Sequence, residues 1–379
     1  MRFRSGLDVG ALQFHAVAEY PTASGPADYA LVSGGQVLGL LEAKKLTVGP
    51  HGALTQAERY AQGLADSPFN FAGYRAPFLY STNGEVIYFR DVRHEEGGSR
   101  RLARFHSPAA LREMLGHDLP LARQWFASHP NDHPRLRPYQ RAANTAVEQA
   151  LALGKRQMLV AMATGTGKTF TTVNQTYRLL KSGAAKRILF LVDRRALAAQ
   201  AVRAFASFEP EPNLKFDKIY EVYSNRFQKE DFGEDDAFDS KVMPNAYLLD
   251  PQPKHVFVYV CTIQRMAVSI LGRQAVFSED GDELENDAEQ LPIPIHAFDT
   301  IIADECHRGY TASEQSVWRA VLDHFDAVRI GLTATPASHT TSYFKEVVYR
   351  YTYEEAVRDG HLVDWDLVKI KSDVRINGV

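Results

Sequence analysis

Met158-Leu159-Val160-Ala161-Met162-Ala163-Thr164-Gly165-Thr166-Gly167-Lys168-Thr169 is the stretch that decides the fold. An apolar, strand-like run, Met158 to Ala161, enters a glycine loop, and a helical pattern follows to about Ser182. A glycine loop between strand and helix lets backbone N–H groups curl around phosphate oxygens, and the helix start adds partial positive charge. Gly165, Thr166 and Gly167 are expected to wrap the phosphates of ATP. Lys168 would reach the β- and γ-phosphates, and Thr169 would hold Mg²⁺ through its hydroxyl. The strict spacing asks for Gly or Ala where Met162 stands. That departure loosens the pattern match and leaves the strand–loop–helix geometry intact.

The same rhythm continues on both sides of the loop. Pro138 opens a helix to about Leu153, with Ala142, Ala143, Ala146, Val147, Ala150 and Leu151 on one face and Gly154 as its stop. Short apolar runs follow at Ile188–Val192, Val256–Val260, Thr300–Ala303 and Val328–Leu332, with helical patterns among them. Continuous apolar strands alternating with helices predict a parallel sheet buried on both faces. Asp304-Glu305-Cys306-His307 comes directly after one of these strands. An Asp there can hold the Mg²⁺ shell, and the neighbouring Glu can orient an attacking water. Cys306 and His307 do not make a zinc site, because no further cysteine lies near and the spacing is wrong.

Upstream the pattern changes. The polar, proline-punctuated Ser128-His129-Pro130-Asn131-Asp132-His133-Pro134 marks a boundary. Before it, Asp28–Leu31 and Gln36–Ala43 read as hairpin strands around Ser33-Gly34-Gly35. Phe78–Tyr80 and Val86–Phe89 read as another pair, and Thr55–Ala65 reads as a helix between them. Glu42 and Lys44 share a strand face. A two-residue turn at Gly34-Gly35 would set Asp28 opposite Leu41, and one bulge would bring it to Glu42. Two carboxylates meeting there make an oxygen-ligand site for Mg²⁺, with Lys44 beside the water that attacks a phosphodiester. Gln56 and Tyr60 are four apart on the following helix and share its face.

The chain of 379 residues is long enough for two or three domains. Its 45% hydrophobic and 23% charged residues exclude a disordered, collagenous or disulfide-stapled protein. No apolar run reaches the roughly 20 residues of a membrane span, and no secretory leader is read at the amino terminus. Only Cys261 and Cys306 occur, so a reduced, cytoplasmic setting is expected. A net charge of −3 requires any DNA contact to be a local basic surface. The acidic stretches 230–239 and 279–289 are expected to be solvated insertions turned away from DNA.

Leu136-Arg137-Pro138-Tyr139-Gln140, the glycine loop, Asp193-Arg194-Arg195, Thr262-Ile263-Gln264, Asp304-Glu305-Cys306-His307 and Thr333-Ala334-Thr335 occur in this order. The set resembles superfamily 2 helicases. The resemblance implies that Gln140 reads adenine, that Arg194 and Thr262 touch the DNA backbone, and that Thr333 and Thr335 couple the ATP site to the DNA path. Asp28, Glu42-Ala43-Lys44 and Gln56-Ala57-Glu58-Arg59-Tyr60 resemble the nuclease motifs of the restriction subunit of type I restriction enzymes, a PD-(D/E)xK-type domain. Leu191–Leu197, Asp304–Tyr310 and Gly331–Ala337 look like that subunit too.

The resemblance implies an ATP-dependent, Mg²⁺-dependent deoxyribonuclease and translocase acting on double-stranded DNA. Its partners would be the methyltransferase and specificity subunits. An endonuclease-like α/β domain is expected at 1–128 and a first RecA-like domain at 129–345. Residues 346–379 are expected to form a bridge and the start of a truncated second RecA-like domain. On that expectation, this chain alone binds nucleotide with little turnover. The family carries sequence before the first nuclease strand, and Glu19 and His15 are candidates for part of that role. Two alternatives stay open: a repair translocase with an inactive nuclease domain, and a non-catalytic DNA-docking fragment.

Overall fold

Hairpins in the first part of the chain, and apolar strands alternating with helices in the rest, produce two sheets of different kinds. The computed structural model describes residues 1–45, 51–94, 98–225, 241–275, 288–307 and 311–364. The acidic stretch 230–239, and 279–287 of the other, lie outside the described residues.

The amino-terminal domain contains β1 (Phe14–Tyr20), β2 (Ala27–Ser33), β3 (Gln36–Ala43), α1 (His51–Gln62), β4 (Phe78–Thr82), β5 (Ile87–Asp91) and β6 (Arg100–Leu102). Two further helices follow, α2 (Pro108–Leu115) and α3 (Leu119–Ser128). The strands lie in their chain order in one mixed sheet. Every neighbouring pair is antiparallel except β3 and β4, which run parallel because α1 carries the chain back across the sheet. Leu54, Ala57 and Ala61 of α1 pack on Leu40 and Leu79, covering one face. Phe78, Tyr80, Phe89 and Leu111 fill the other. β1 and β6 were not legible in the chain: β1 is mostly exposed and β6 is only three residues long.

The carboxy-terminal domain begins with α4 (Pro138–Ala152), β7 (Gln157–Met162), α5 (Lys168–Lys181), β8 (Arg187–Val192), α6 (Arg195–Ser207) and the short α7 (Phe216–Ile219). It continues through β9 (Glu221–Ser224), β10 (Lys241–Val242), α8 (Asn245–Leu249), β11 (Phe257–Thr262), α9 (Ile263–Leu271), β12 (Thr300–Ala303) and α10 (Ala312–His324). The last elements are β13 (Val328–Thr333), α11 (Ser338–Phe344), β14 (Val347–Tyr351) and α12 (Tyr353–Arg358). The strand order is β10-β9-β11-β8-β12-β13-β7-β14, and each pairing is parallel. Ile188, Phe190 and Val192 of β8 enter the core on one face, and Leu189 and Leu191 enter the core on the other. This double burial is what the apolar runs encode.

One expected boundary moves. Residues 346–379 are expected to be a bridge, yet β14 pairs with β7 and Ala356 of α12 is fully buried in the core. The described part of this stretch therefore completes the same sheet. Its apolar content, Val347-Val348-Tyr349, is too short and too mixed with charge to announce a strand.

The two domains meet at the end of the parallel sheet where its strands begin. Asp326, just before β13, accepts Arg100 Nε at 2.6 Å and Arg100 Nη2 at 2.7 Å. It also bonds His106 Nε2 at 2.9 Å and accepts Arg156 Nη2 at 2.8 Å. Burial alone would raise its pKa, but the Arg100 and Arg156 charges and the His106 bond hold it well below the usual carboxylate range. Nearby, Arg187 at the start of β8 forks onto Glu113 of α2 at 2.8 and 3.0 Å. Asp326→Ala would leave the two guanidiniums it binds without their carboxylate, and breaking such a cluster costs about 3–5 kcal/mol. We expect chemical denaturation of that variant to show this loss, with limited proteolysis opening the domain junction first.

His296 lies at the same junction. Burial, then the neighbouring His106 and Arg187, push its pKa down to about 4. An unfolded histidine binds a proton near pH 6.5, and the folded one refuses it until about pH 4, so stability falls as the pH drops through that window. The loss is about 3 kcal/mol for the full shift. His296→Gln should flatten the denaturation midpoint against pH between those limits by this amount.

Candidate active sites

The first site is built by a register shift. β2 and β3 pair Ser33 with Gln36 at the turn but Leu31 with Gly39 beyond it, because Leu38 is a bulge. Tyr29 then stands opposite Leu41, which carries Asp28 to Glu42. Asp28 Oδ2 accepts the Ala43 N–H at 2.7 Å, which fixes the carboxylate across the strand pair. Glu42 is buried, and its Oε1 holds Lys44 Nζ at 2.5 Å. Lys44 Nζ also donates to Gln56 Oε1 at 2.8 Å, and Gln56 Nε2 donates to Tyr60 Oη at 2.6 Å. The five residues expected of the nuclease site thus form one continuous cluster.

Burial and neighbouring charge set its electrostatics. Burial, and the Asp28 charge alongside it, raise the Glu42 pKa, while the Lys44 bond and charge oppose them. Glu42 Oε2 is buried without a hydrogen-bond partner. An unpartnered buried carboxylate oxygen beside a second carboxylate fits a hard divalent ion. The register also carries Glu19 opposite Asp28, since Ala18 pairs with Tyr29 and Tyr20 with Ala27. Glu19 is exposed and held at φ +56°, a left-handed conformation that strains any residue but glycine. His15 is exposed further along the same strand.

The second site follows β7. Gly165 and Gly167 adopt φ of +83° and +81°, which only glycine accepts without strain, and this lets the loop curl into α5. Thr166 Oγ1 closes the loop onto Ala163 O at 2.6 Å. Lys168 Nζ lies 3.4 Å from both Met162 O and Glu305 Oε1. Thr169 is half-buried in the first turn of α5. Asp304 is buried at the end of β12, where desolvation, and then the adjacent Glu305, push its pKa up to about 6 against the pull of Lys168. Glu305 sits at φ +50°, so backbone strain is stored at the acidic pair.

A relay leads away from this pair. Glu305 Oε2 lies 3.2 Å from His307 Nδ1, which is 3.0 Å from Thr333 Oγ1. Thr333 Oγ1 accepts the Thr335 N–H at 3.1 Å. The loop lysine and the acidic pair are therefore linked to the Thr333-Ala334-Thr335 segment through His307. Arg194, expected on the DNA backbone, has a side chain 73% exposed.

Two expected contacts are not presented. Thr262 is buried, and its hydroxyl accepts the Arg265 N–H at 3.3 Å as the cap of α9, which removes it from a DNA-facing surface. Gln140 is expected on adenine, yet both ends of its amide are used inside the chain. Its Oε1 accepts the Arg137 N–H at 2.9 Å, and its Nε2 donates to Thr166 O at 3.0 Å. It braces the phosphate loop. Gln140→Ala should raise the ATP concentration at half-saturation roughly tenfold, the loss of one or two net hydrogen bonds, as measured by nucleotide titration.

Sequence reasoning missed the neighbours of this loop. Tyr351 stacks on Tyr139 with centroids 4.1 Å apart, and His361 lies 5.0 Å from Tyr139. Leu362 comes within 3.1 Å of where a Cβ on Gly165 would sit. They are brought in by β14 and α12, elements without a clear periodic signal.

Two family models and several known proteins match this chain. The family model described as "Type III restriction enzyme, res subunit" matches residues 133–338. The model described as "Type I restriction enzyme EcoKI endonuclease subunit second domain" matches residues 1–115. The type I restriction enzyme EcoKI endonuclease subunit of Escherichia coli K12 is 34% identical, over 93% of this chain and 32% of that protein. The EcoAI endonuclease subunit of Escherichia coli is 33% identical, over 80% of this chain and 34% of that protein. A solved fragment of an HsdR subunit of a type I restriction enzyme from Vibrio vulnificus YJ016 is 25% identical, covering 88% of this chain and 51% of that one at a TM-score of 0.37. The chain spans about a third of the length of the two curated relatives. It belongs to the res-subunit family of restriction enzymes, alongside the endonuclease subunits of type I systems.

Proposed function

We propose that this chain is the nuclease and first motor part of the restriction subunit of a type I restriction-modification system. The subunit would use ATP to move double-stranded DNA and would cleave it at the Asp28–Glu42 site. The observation that carries the reading is the convergence of Asp28, Glu42 and Lys44, with an unpartnered Glu42 oxygen, on the same chain as a formed phosphate loop. It favours an active nuclease over a repair translocase with a dead one, and over a docking fragment.

In the nuclease site Asp28 and Glu42 would hold Mg²⁺, which supplies Lewis-acid polarisation of the scissile phosphate. Lys44, held by Glu42 and Gln56, points its ammonium at the same place and stabilises negative charge developing on the phosphate. Tyr60 fixes Gln56 and, through it, the lysine. In the ATP site the loop N–H groups and Lys168 bind the β- and γ-phosphates, Thr169 and Asp304 would hold Mg²⁺, and Glu305 orients the attacking water. His307 passes the position of Glu305 to Thr333.

The partners would be the methyltransferase and specificity subunits, and the setting the cytoplasm. Among the described residues, no helix is long and apolar enough to cross a membrane. The test is plasmid cleavage by the full-length subunit assembled with those two. Linear product that requires both ATP and Mg²⁺ is expected. Cleavage that proceeds equally without ATP would remove the motor from the account.

A further inference from the structure

Glu305 holds φ +50°, and a residue with a side chain keeps such a conformation only where its surroundings over-determine it. The peptides on both sides are tied to the sheet. The Asp304 N–H donates to Leu191 O of β8 at 2.8 Å, and the Cys306 N–H donates to Leu332 O of β13 at 3.0 Å. The Glu305 N–H turns back onto Asp304 Oδ1 at 2.9 Å. A further tie comes from outside the sheet, where His339 Nε2 donates to His307 O at 3.1 Å. A carbonyl oxygen only accepts, so Nε2 of His339 carries a proton.

His339 stands in the first turn of α11, the helix that follows the Thr333-Ala334-Thr335 segment. The far end of α11 is anchored by Phe344, which is buried in the core. A Cβ on Gly331 of β13 would sit 2.7 Å from the Phe344 ring and 2.9 Å from Cys306 Sγ. Phe344 and Cys306 thus close over the same glycine, in an interior packed too tightly to give. From this fixed helix His339 grips the residue next to Cys306. That residue, His307, is also the one whose imidazole lies 3.2 Å from Glu305 Oε2 and 3.0 Å from Thr333 Oγ1.

We infer, on the motor reading proposed above, that His339 is a positioning residue for ATP hydrolysis: through the His307 carbonyl it holds the strained acidic loop so that Glu305 stays aimed at the attacking water. A group that orients a water acts only within hydrogen-bond reach of it, and a displacement of about 1 Å costs up to about 100-fold in rate. The His339 bond goes to the backbone of the acidic loop and not to Lys168 or the glycine turn. Its loss should therefore slow the reaction and leave nucleotide binding in place.

ATP turnover by the assembled full-length enzyme in the presence of DNA tests this role. No turnover in the parent enzyme would remove the motor reading itself, before any His339 variant is read. With turnover present in the parent, His339→Leu is expected to lower kcat about tenfold or more, while affinity for a fluorescent nucleotide stays within about twofold. His339→Gln restores an amide donor and should return to within about threefold of the parent. The same change is then made in Glu305→Gln. A residue that acts through the Glu305 carboxylate has nothing left to position there, so adding His339→Leu should lower the residual turnover by less than about twofold. A histidine that only supports the fold would cost about tenfold in both backgrounds, and that result overturns the inference. Unchanged turnover in His339→Leu also overturns it, as does nucleotide affinity that falls along with kcat. If circular dichroism shows that His339→Leu is unfolded, His339→Phe, which keeps a ring in this half-buried place without a donor, is read against the same limits.

Discussion

Glu42→Ala is expected to lower DNA cleavage by the assembled full-length enzyme about 10³-fold or more while ATP turnover stays within about twofold. Glu42 contributes one of two converging carboxylates and also anchors Lys44 at 2.5 Å. On the proposed function, its removal would take away an oxygen ligand and free the ammonium that would face the phosphate. Lys44→Ala should cost about 10²–10³-fold, since the two carboxylates remain. Gln56→Ala should cost less, because Lys44 keeps its bond to Glu42. Stability should move the other way. Glu42 is buried with one oxygen unpaired and a raised pKa, so the alanine variant should melt no lower than the parent. A large fall in cleavage with no fall in melting temperature distinguishes a catalytic role from a packing one. Cleavage retained in Glu42→Ala would remove the nuclease assignment.

Lys168→Ala is expected to lower ATP turnover about 10²-fold or more, and ATP-dependent cleavage with it, although the Asp28–Glu42 site is untouched. Lys168 waits 3.4 Å from Glu305, ready to move onto phosphate when nucleotide enters. Glu305→Gln should match it in turnover while keeping nucleotide affinity, because the glutamate is proposed to act on water and not on ATP. The pair separates binding from chemistry: titration of a fluorescent nucleotide should weaken only in Lys168→Ala. Normal DNA translocation by either variant would contradict the motor assignment.

The phosphate loop and the acidic pair were legible because each depends on local order. A buried strand followed by a glycine turn has few other uses, and Asp304 had to fall at a strand end. The parallel sheet followed from the apolar runs of β7, β8, β11, β12 and β13. The Asp28–Glu42 meeting was legible only as a possibility: it hinges on whether the hairpin bulges, and the Leu38 bulge settles that in three dimensions. Gln140 and Thr262 read differently in the chain than in the fold, because a capping or bracing bond depends on partners that the residue type does not name. The domain junction was silent in the sequence. Arg100, His106, Arg156 and Asp326 are scattered charges until the fold brings Arg100 of β6 onto Asp326, just before β13.

The central claim is that the Asp28–Glu42 pair is an ion-binding nuclease centre distinct from the nucleotide site. Anomalous diffraction from crystals of this chain soaked in Mn²⁺ without nucleotide tests it most directly. We expect a peak between the two carboxylates, about 2.1 Å from an oxygen of each, that disappears in Glu42→Ala and persists in Lys168→Ala. A map with no ion there, or with the pair still empty while manganese occupies other carboxylates, would contradict the account.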